Sequence, residues 1–282
     1  MRQRDFAIAR ALPEEHTRTT LRILAMTLCV MDVFPGSGRK CPGGNALNFA
    51  VQARRSGFEQ VSLLGAVGHD ESGRTIRRVL TDHRVEVSHL HQLPGRTASH
   101  RVLISETGER IFLPENWDGG VYETFRLSES DWRFVGGFDA IAMIAIDPNY
   151  PALFEHRRSD QKIFVDFLDR AGPDEIATAM DQVDVAMVSG TRSIAETLLP
   201  ETHGSDSVVL VTLGAEGSLA LHRGVLHEQP AARVEEVVDT TGCGDAYAGA
   251  FMASWMVDGD IARAMSRAAE AASRVLTHVG AI

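Results

Sequence analysis

Short runs of apolar and β-branched residues alternate with stretches of helical period along most of the chain, and this alternation limits the possible folds more than any other feature. Ile23–Val30 is followed by a helical pattern over Ala46–Arg55, and Val61–Val67 by another over Gly73–Asp82. Further apolar runs follow at Ala140–Ile146, Ile163–Phe167, Val185–Val188 and Val208–Thr212. A run that is apolar at nearly every position belongs to a strand covered on both faces, and strands alternating with helices give a mostly parallel sheet between helical layers. Asp245–Val279 is largely helical. Its Ala246, Ala248, Ala250 and Ala253, and later Ala268, Ala269, Ala271 and Ala272, are small enough to admit either a neighbouring helix or a flat ligand.

Two segments depart from this texture. Ser99–Ile104 and Arg110–Leu113 flank Glu106-Thr107-Gly108-Glu109, which reads as a β-hairpin inserted into the alternating pattern. Strands that project from a parallel sheet have no helices of their own to cover them, so they are expected to close over a cleft as a lid or to meet a second subunit. Residues 1–20 are polar, contain Pro13 and keep no sustained period, so they read as an extension ahead of one domain over 21–282.

The formal charge of −10 argues against the electrostatic footprint that nucleic acid or anionic lipid requires, and favours a small-molecule partner. No stretch of eighteen apolar residues and no secretory leader is evident, so a cytoplasmic protein is expected. Cys29, Cys41 and Cys243 form no C-x-x-C pair and read as reduced thiols.

The segment richest in chemistry is Val237-Val238-Asp239-Thr240-Thr241-Gly242-Cys243-Gly244-Asp245-Ala246. Two apolar residues are expected to end a strand, after which a Gly-x-Gly turn opens directly into a helix. That arrangement leaves backbone N–H groups of Gly242, Cys243 and Gly244 facing outward as an anion hole. Asp245 is out of place in a site that only binds phosphate, since it adds negative charge there. It fits a general base that takes the proton of a hydroxyl attacking a phosphoryl group.

Asp-Thr-Thr-Gly-x-Gly-Asp followed by small residues resembles the C-terminal signature of the ribokinase-like, or PfkB, family of carbohydrate kinases. Gly43-Gly44-Asn45-Ala46-Leu47-Asn48 and Gly65-Ala66-Val67-Gly68 supply elements of the family's N-terminal glycine signature in the same order, so the resemblance covers roughly residues 21–282. It implies a three-layer α/β/α sandwich with a mostly parallel central sheet and a small β-sheet lid near residues 30–42 and 96–116. It further implies a sugar held by Asp32, Gly43, Gly44, Asn45 and Asn48. ATP would lie along Thr212, Gly214 and Gly217, with Asp239 and Thr240 beside it, and Mg²⁺ would neutralise the phosphates; no residue is assigned to the metal. Less general textures, among them Val30-Met31-Asp32-Val33-Phe34-Pro35 and Asp166-Phe167-Leu168-Asp169-Arg170, resemble the fructosamine-kinase branch. They imply phosphorylation of fructoselysine or a related fructosamine at the 6-hydroxyl. The alternatives are a kinase of a free sugar such as fructose or ribose, or a sugar-binding relative without turnover. A homodimer through the lid is a further expectation.

Three positions depart from the family pattern. Thr27-Leu28-Cys29 stands where Gly-Asp or Gly-Asn is usual. Ser189-Gly190-Thr191-Arg192 replaces Asn-x-x-Glu, with Glu196 one helical turn late. Cys243 takes the place of an alanine, and a thiol at a helix N-terminus is expected to have a depressed pKa. His89 and His91 read as solvated surface residues, Trp132 and Trp255 as packing residues, and Trp117 as a ring able to cover a ligand.

Overall fold

The computed structural model describes residues 21–104, 110–111 and 114–282; the extension 1–20 and the turn residues Glu106–Glu109 lie outside them. Fifteen strands are formed by the described residues: β1 Arg22–Thr27, β2 Val30–Phe34, β3 Arg39–Gly43, β4 Gln60–Gly68, β5 Leu90–Leu93, β6 Ser99–Arg101, β7 Leu103–Ile104, β8 Arg110–Ile111, β9 Trp117–Asp118, β10 Ala140–Ile144, β11 Lys162–Asp166, β12 Val185–Ser189, β13 Val208–Thr212, β14 Ser218–His222 and β15 Val225–Gln229. The α-helices are α1 Asn45–Arg55, α2 Glu71–Asp82, α3 Glu129–Val135, α4 Tyr150–His156, α5 Pro173–Ala179, α6 Arg192–Leu198, α7 Cys243–Asp258 and α8 Ile261–Val275.

Nine strands make the main sheet in the order β15-β14-β13-β12-β11-β10-β1-β4-β5, parallel from β5 to β13 and antiparallel only at the β14 and β15 edge. Neighbouring residues of one strand face opposite layers. Ile23, Ala25 and Leu63 pack with Leu47, Phe251 and Met265 of α1, α7 and α8, while Leu24, Met26 and Leu64 pack with Trp132, Leu153, Ile176 and Leu198 of α3 to α6. Each buried Leu, Ile, Phe or Met side chain contributes roughly 1.5–3 kcal/mol on leaving water, so strands apolar at nearly every position are most stable with both faces covered. The chain winds outward from β1 in both directions, which places a topological switch point between β1 and β10. In open α/β sheets, ligands bind at the carboxyl ends of the strands beside such a point.

The structure differs from the sequence expectation at Ile23–Val30. This single apolar run serves two sheets, because the chain leaves β1 after Thr27 and re-enters extended structure as β2 in a separate four-stranded sheet of order β3-β2-β6-β9. Apolar content has no power to register that break, since both halves are buried. β7 and β8 pair antiparallel as a two-stranded sheet of their own. The small residues of α7 serve helix packing at Gly249, where a Cβ would lie 2.9 Å from the Ala53 backbone nitrogen of α1.

Candidate active site

The turn before α7 is built by one buried carboxylate. Asp239, fully buried, accepts from the Thr241 N–H (2.8 Å) and the Thr241 hydroxyl (2.5 Å) through Oδ1, and from the Gly280 N–H (2.8 Å) through Oδ2. Its oxygens are thus engaged within the protein, where they shape the loop that carries Thr240. Gly242 has φ 77°, a left-handed conformation that an L side chain rarely adopts, and a Cβ there would come within 2.2 Å of the Ala281 Cβ. Beside Gly244, by contrast, a Cβ would meet nothing closer than Met187 Cε at 4.0 Å, so that position is open to a ligand. The Cys243 N–H is donated to the Thr240 carbonyl (3.3 Å) and so is engaged within the turn, not directed outward as expected. The apolar pair Val237 and Val238, expected at the end of a strand, lies outside the sheet. Both residues are exposed, and the Val238 N–H bonds to the Leu276 carbonyl (2.8 Å) beyond the end of α8.

Asp245 occupies the first turn of α7, where the helix dipole favours a negative charge. Two amides from the start of α1 grip it: Asn45 Nδ2 donates to Oδ1 (2.7 Å) and Asn48 Nδ2 to Oδ2 (2.7 Å). The Asn-x-x-Asn spacing sets both side chains on one side of the first turn of α1, facing α7. The same Asn45 amide also donates to Asp166 Oδ2 (3.1 Å), at the carboxyl end of β11. Burial first, and then the charge of Asp245, push the Asp166 carboxyl up to about 7. From the sequence alone, Asp166 reads only as texture. The available signal was an acidic residue closing an apolar run, at the end of a parallel strand where ligands bind.

Across the site, Asp32 lies in β2 and is 2% exposed. Gly44 has to be glycine for an intramolecular reason, and a side chain at Gly43 would displace the Asp32 carboxylate. A Cβ on Gly43 would come 2.6 Å from Asp32 Oδ2, and one on Gly44, at φ 97°, 2.5 Å from the Leu28 carbonyl oxygen. Register aligns Cys41, Asp32, His100 and Trp117 in one row across β3, β2, β6 and β9. Trp117 is half-buried and meets Tyr122 edge to face at 6.2 Å.

Thr212 ends β13, with Gly214 in the turn that follows, and the Thr212 carbonyl accepts the Gly190 N–H (3.0 Å). Gly217 is required by close approach, since a Cβ would lie 2.1 Å from the Gln229 carbonyl oxygen. Glu196, the displaced acidic residue, is exposed on α6. Thr27, at the first departure, donates its hydroxyl to the buried Asp147.

Two further expectations are corrected. The Cys243 thiol does not acquire a low pKa: burial, with Asp239 and Asp245 nearby, pushes it up to about 12. Iodoacetamide at pH 8 is therefore expected to label Cys243 far more slowly than a free thiol; rapid modification, read by peptide mass spectrometry, would contradict this burial. His89 and His91 are also not simply solvated. The His89 ring stacks on Phe134 at 3.5 Å, and His91 Nε2 bonds Asp131 Oδ1 (2.8 Å), fastening β5 to α3. Among the described residues, no group of three His, Cys, Asp or Glu is placed to hold a metal ion, and no helix is long and apolar enough to cross a membrane.

A parallel α/β sandwich that sets a carboxylate beside a glycine-bracketed helix N-terminus, with a small sheet alongside, is an arrangement suited to phosphoryl transfer to small-molecule hydroxyls, and the comparisons with known proteins identify the class. Residues 32–282 match the model of the pfkB family carbohydrate kinases, and the chain belongs to that family as a sugar kinase. It is 28% identical over 274 residues to fructosamine kinase FrlD of Bacillus subtilis (strain 168), covering 93% of each chain. Its identity to fructoselysine 6-kinase of Escherichia coli (strain K12) is 29% over 258 residues, covering 90% of this chain and 96% of that protein. Among solved structures, Arabidopsis thaliana ribokinase complexed with ribose and ATP has the same fold, with a TM-score of 0.76 at 18% identity over 93% of this chain and 94% of that one.

Proposed function

We propose that this sugar kinase transfers the γ-phosphoryl group of ATP to the 6-hydroxyl of fructoselysine or a related fructosamine, with Asp245 as general base. The observation that carries the reading is the juxtaposition of the Asp245 carboxylate, fixed by the Asn45 and Asn48 amides, with the Gly242–Gly244 turn. In the reaction the hydroxyl proton passes to an Asp245 oxygen as the sugar oxygen bonds to phosphorus, and the bond from phosphorus to the ADP oxygen breaks. The glycine N–H groups stabilise charge on the moving phosphoryl group, as preorganised donors do without reorganising. Bound Mg²⁺ would supply neutralisation of the phosphate oxygens, and no residue of the chain is assigned to it. ATP is assigned to the Thr212–Gly217 turn beside the start of α7. The sugar is assigned to Asp32, Asn45 and Asn48, under the four-stranded sheet acting as lid.

The fructosamine assignment draws on the similarity to the two fructosamine-type kinases and on the edge of that sheet. Half-buried Trp117 there adjoins the exposed ion pair Arg96–Asp118. An amino-acid tail carries both an ammonium and a carboxylate, and this pair offers a partner for each. Coupled ATP-consumption assays over a panel of sugars and sugar–amine adducts test the assignment. Fructoselysine is expected to exceed free fructose in kcat/KM by about 10-fold or more, because its tail adds contacts that fructose lacks. Equal or better turnover of fructose or ribose would refute the fructosamine assignment and leave the kinase standing.

A further inference from the structure

Asp166 is a buried carboxylate that the mechanism above does not use. Its Oδ1 accepts the Leu168 N–H (2.8 Å). Leu168 has φ 58°, a left-handed conformation that is uncommon for a leucine, and its carbonyl accepts the Ser189 N–H of β12 (2.7 Å). Capping that turn needs one carboxylate oxygen. The other is directed into the site, onto the Asn45 amide that also serves Asp245. An amide nitrogen carries two protons, so Asn45 is saturated by one carboxylate on each side and its orientation is fixed by both.

We infer that Asp166 is a positioning residue for the phosphoryl transfer, holding the Asn45 amide in the orientation that aligns Asp245 with the sugar hydroxyl. The inference rests on the reading of Asp245 as base. Among the described residues, the groups facing Asp166 are Asp245 from α7, the neutral Asn45 from α1 and Asp169 from the following turn, while its neighbours in β10 and β12 are the apolar Ile144 and Met187. Nothing among them compensates a negative charge on Asp166 except hydrogen bonds. Protonation of Asp166 weakens its hold on Asn45 and removes a charge that raises the basicity of Asp245. Catalysis therefore strengthens as pH rises and Asp166 loses its proton.

The test compares wild type, Asp166→Asn, Asn45→Ala and the double variant, with a substrate that the wild type turns over. Wild-type kcat is expected to rise through pH about 7. In Asp166→Asn this limb disappears and kcat at pH 8 falls about 10-fold or more, while the KM for ATP stays within about 2-fold. Because Asp166 acts through Asn45, adding Asp166→Asn to Asn45→Ala should cost little further, which is non-additivity within one network. A readout independent of turnover is the Asn45 side-chain amide signal in ¹⁵N–¹H NMR of the wild type. It should move with pH near neutrality, and it decides the contact even if Asp166→Asn fails to fold. Additive losses, a pH limb unchanged in a folded Asp166→Asn, or an Asn45 signal that does not move would each overturn the inference. If the wild type turned over no sugar or adduct while the Asn45 signal still titrated, the functional reading would fail and the Asp166–Asn45 contact would remain.

Discussion

Replacing Asp245 by asparagine is expected to lower kcat by at least ~10²-fold while leaving ATP affinity within about 2-fold, because loss of a general base removes a contribution of that size. The substitution preserves shape, so the Gly242–Gly244 turn and its N–H groups stay in place for the nucleotide. What changes is charge and hydrogen bonding. In the native site, each Asp245 oxygen accepts from an amide, Asn45 on one side and Asn48 on the other. An asparagine at 245 offers one acceptor and one donor group, so one of its two neighbours faces N–H against N–H and has to turn away. Steady-state kinetics with calorimetric titration of nucleotide separate the two effects. A variant that keeps more than about a tenth of wild-type kcat would mean that Asp245 is a helix cap and that the base lies elsewhere.

Removing the carboxylate across the site should have a different signature. Asp32→Ala is expected to raise the KM for the sugar by about 10- to 100-fold with little change for ATP, since each charge-assisted hydrogen bond lost costs roughly 1.5–3 kcal/mol. Asp32 Oδ2 fills the space that a Cβ on Gly43 would take, so the carboxylate and the Gly43-Gly44 turn are fitted to one another. Removing it leaves the turn intact beneath an opened space. A parallel rise in both KM values would point to a general disturbance of β2 instead, and an unchanged sugar KM would remove Asp32 from the sugar site.

Much of this arrangement was legible in the chain itself. Buried parallel strands are apolar at every position, so β4, β10, β11, β12 and β13 appear in the sequence as runs within about two residues of their observed limits. The small sheet was expected near residues 30–42 and 96–116 from the family resemblance, but not the break that leads into it, because a buried run that crosses from one sheet to another keeps the same composition; the break at Thr27 is a property of the path and not of residue type. The histidines show the same limit. His89 and His91 alternate like solvated strand residues, and only the approach of α3 turns one onto Phe134 and the other onto Asp131.

The alternating α/β class, the glycine-bracketed helix start and the acidic residue beside it can be read from the chain alone, because backbone conformation and local charge depend on neighbours in the chain. The packing of α1 against α7 brings Asn45 and Asp245, two hundred residues apart, into one hydrogen bond, and the end of β11 adds Asp166 to them through the same amide. The tertiary structure also decided that Cys243, at a helix start that should favour its thiolate, is buried beside two carboxylates and stays protonated. Burial and the charges of distant residues are set by which elements pack together, and no local pattern in the chain encodes them.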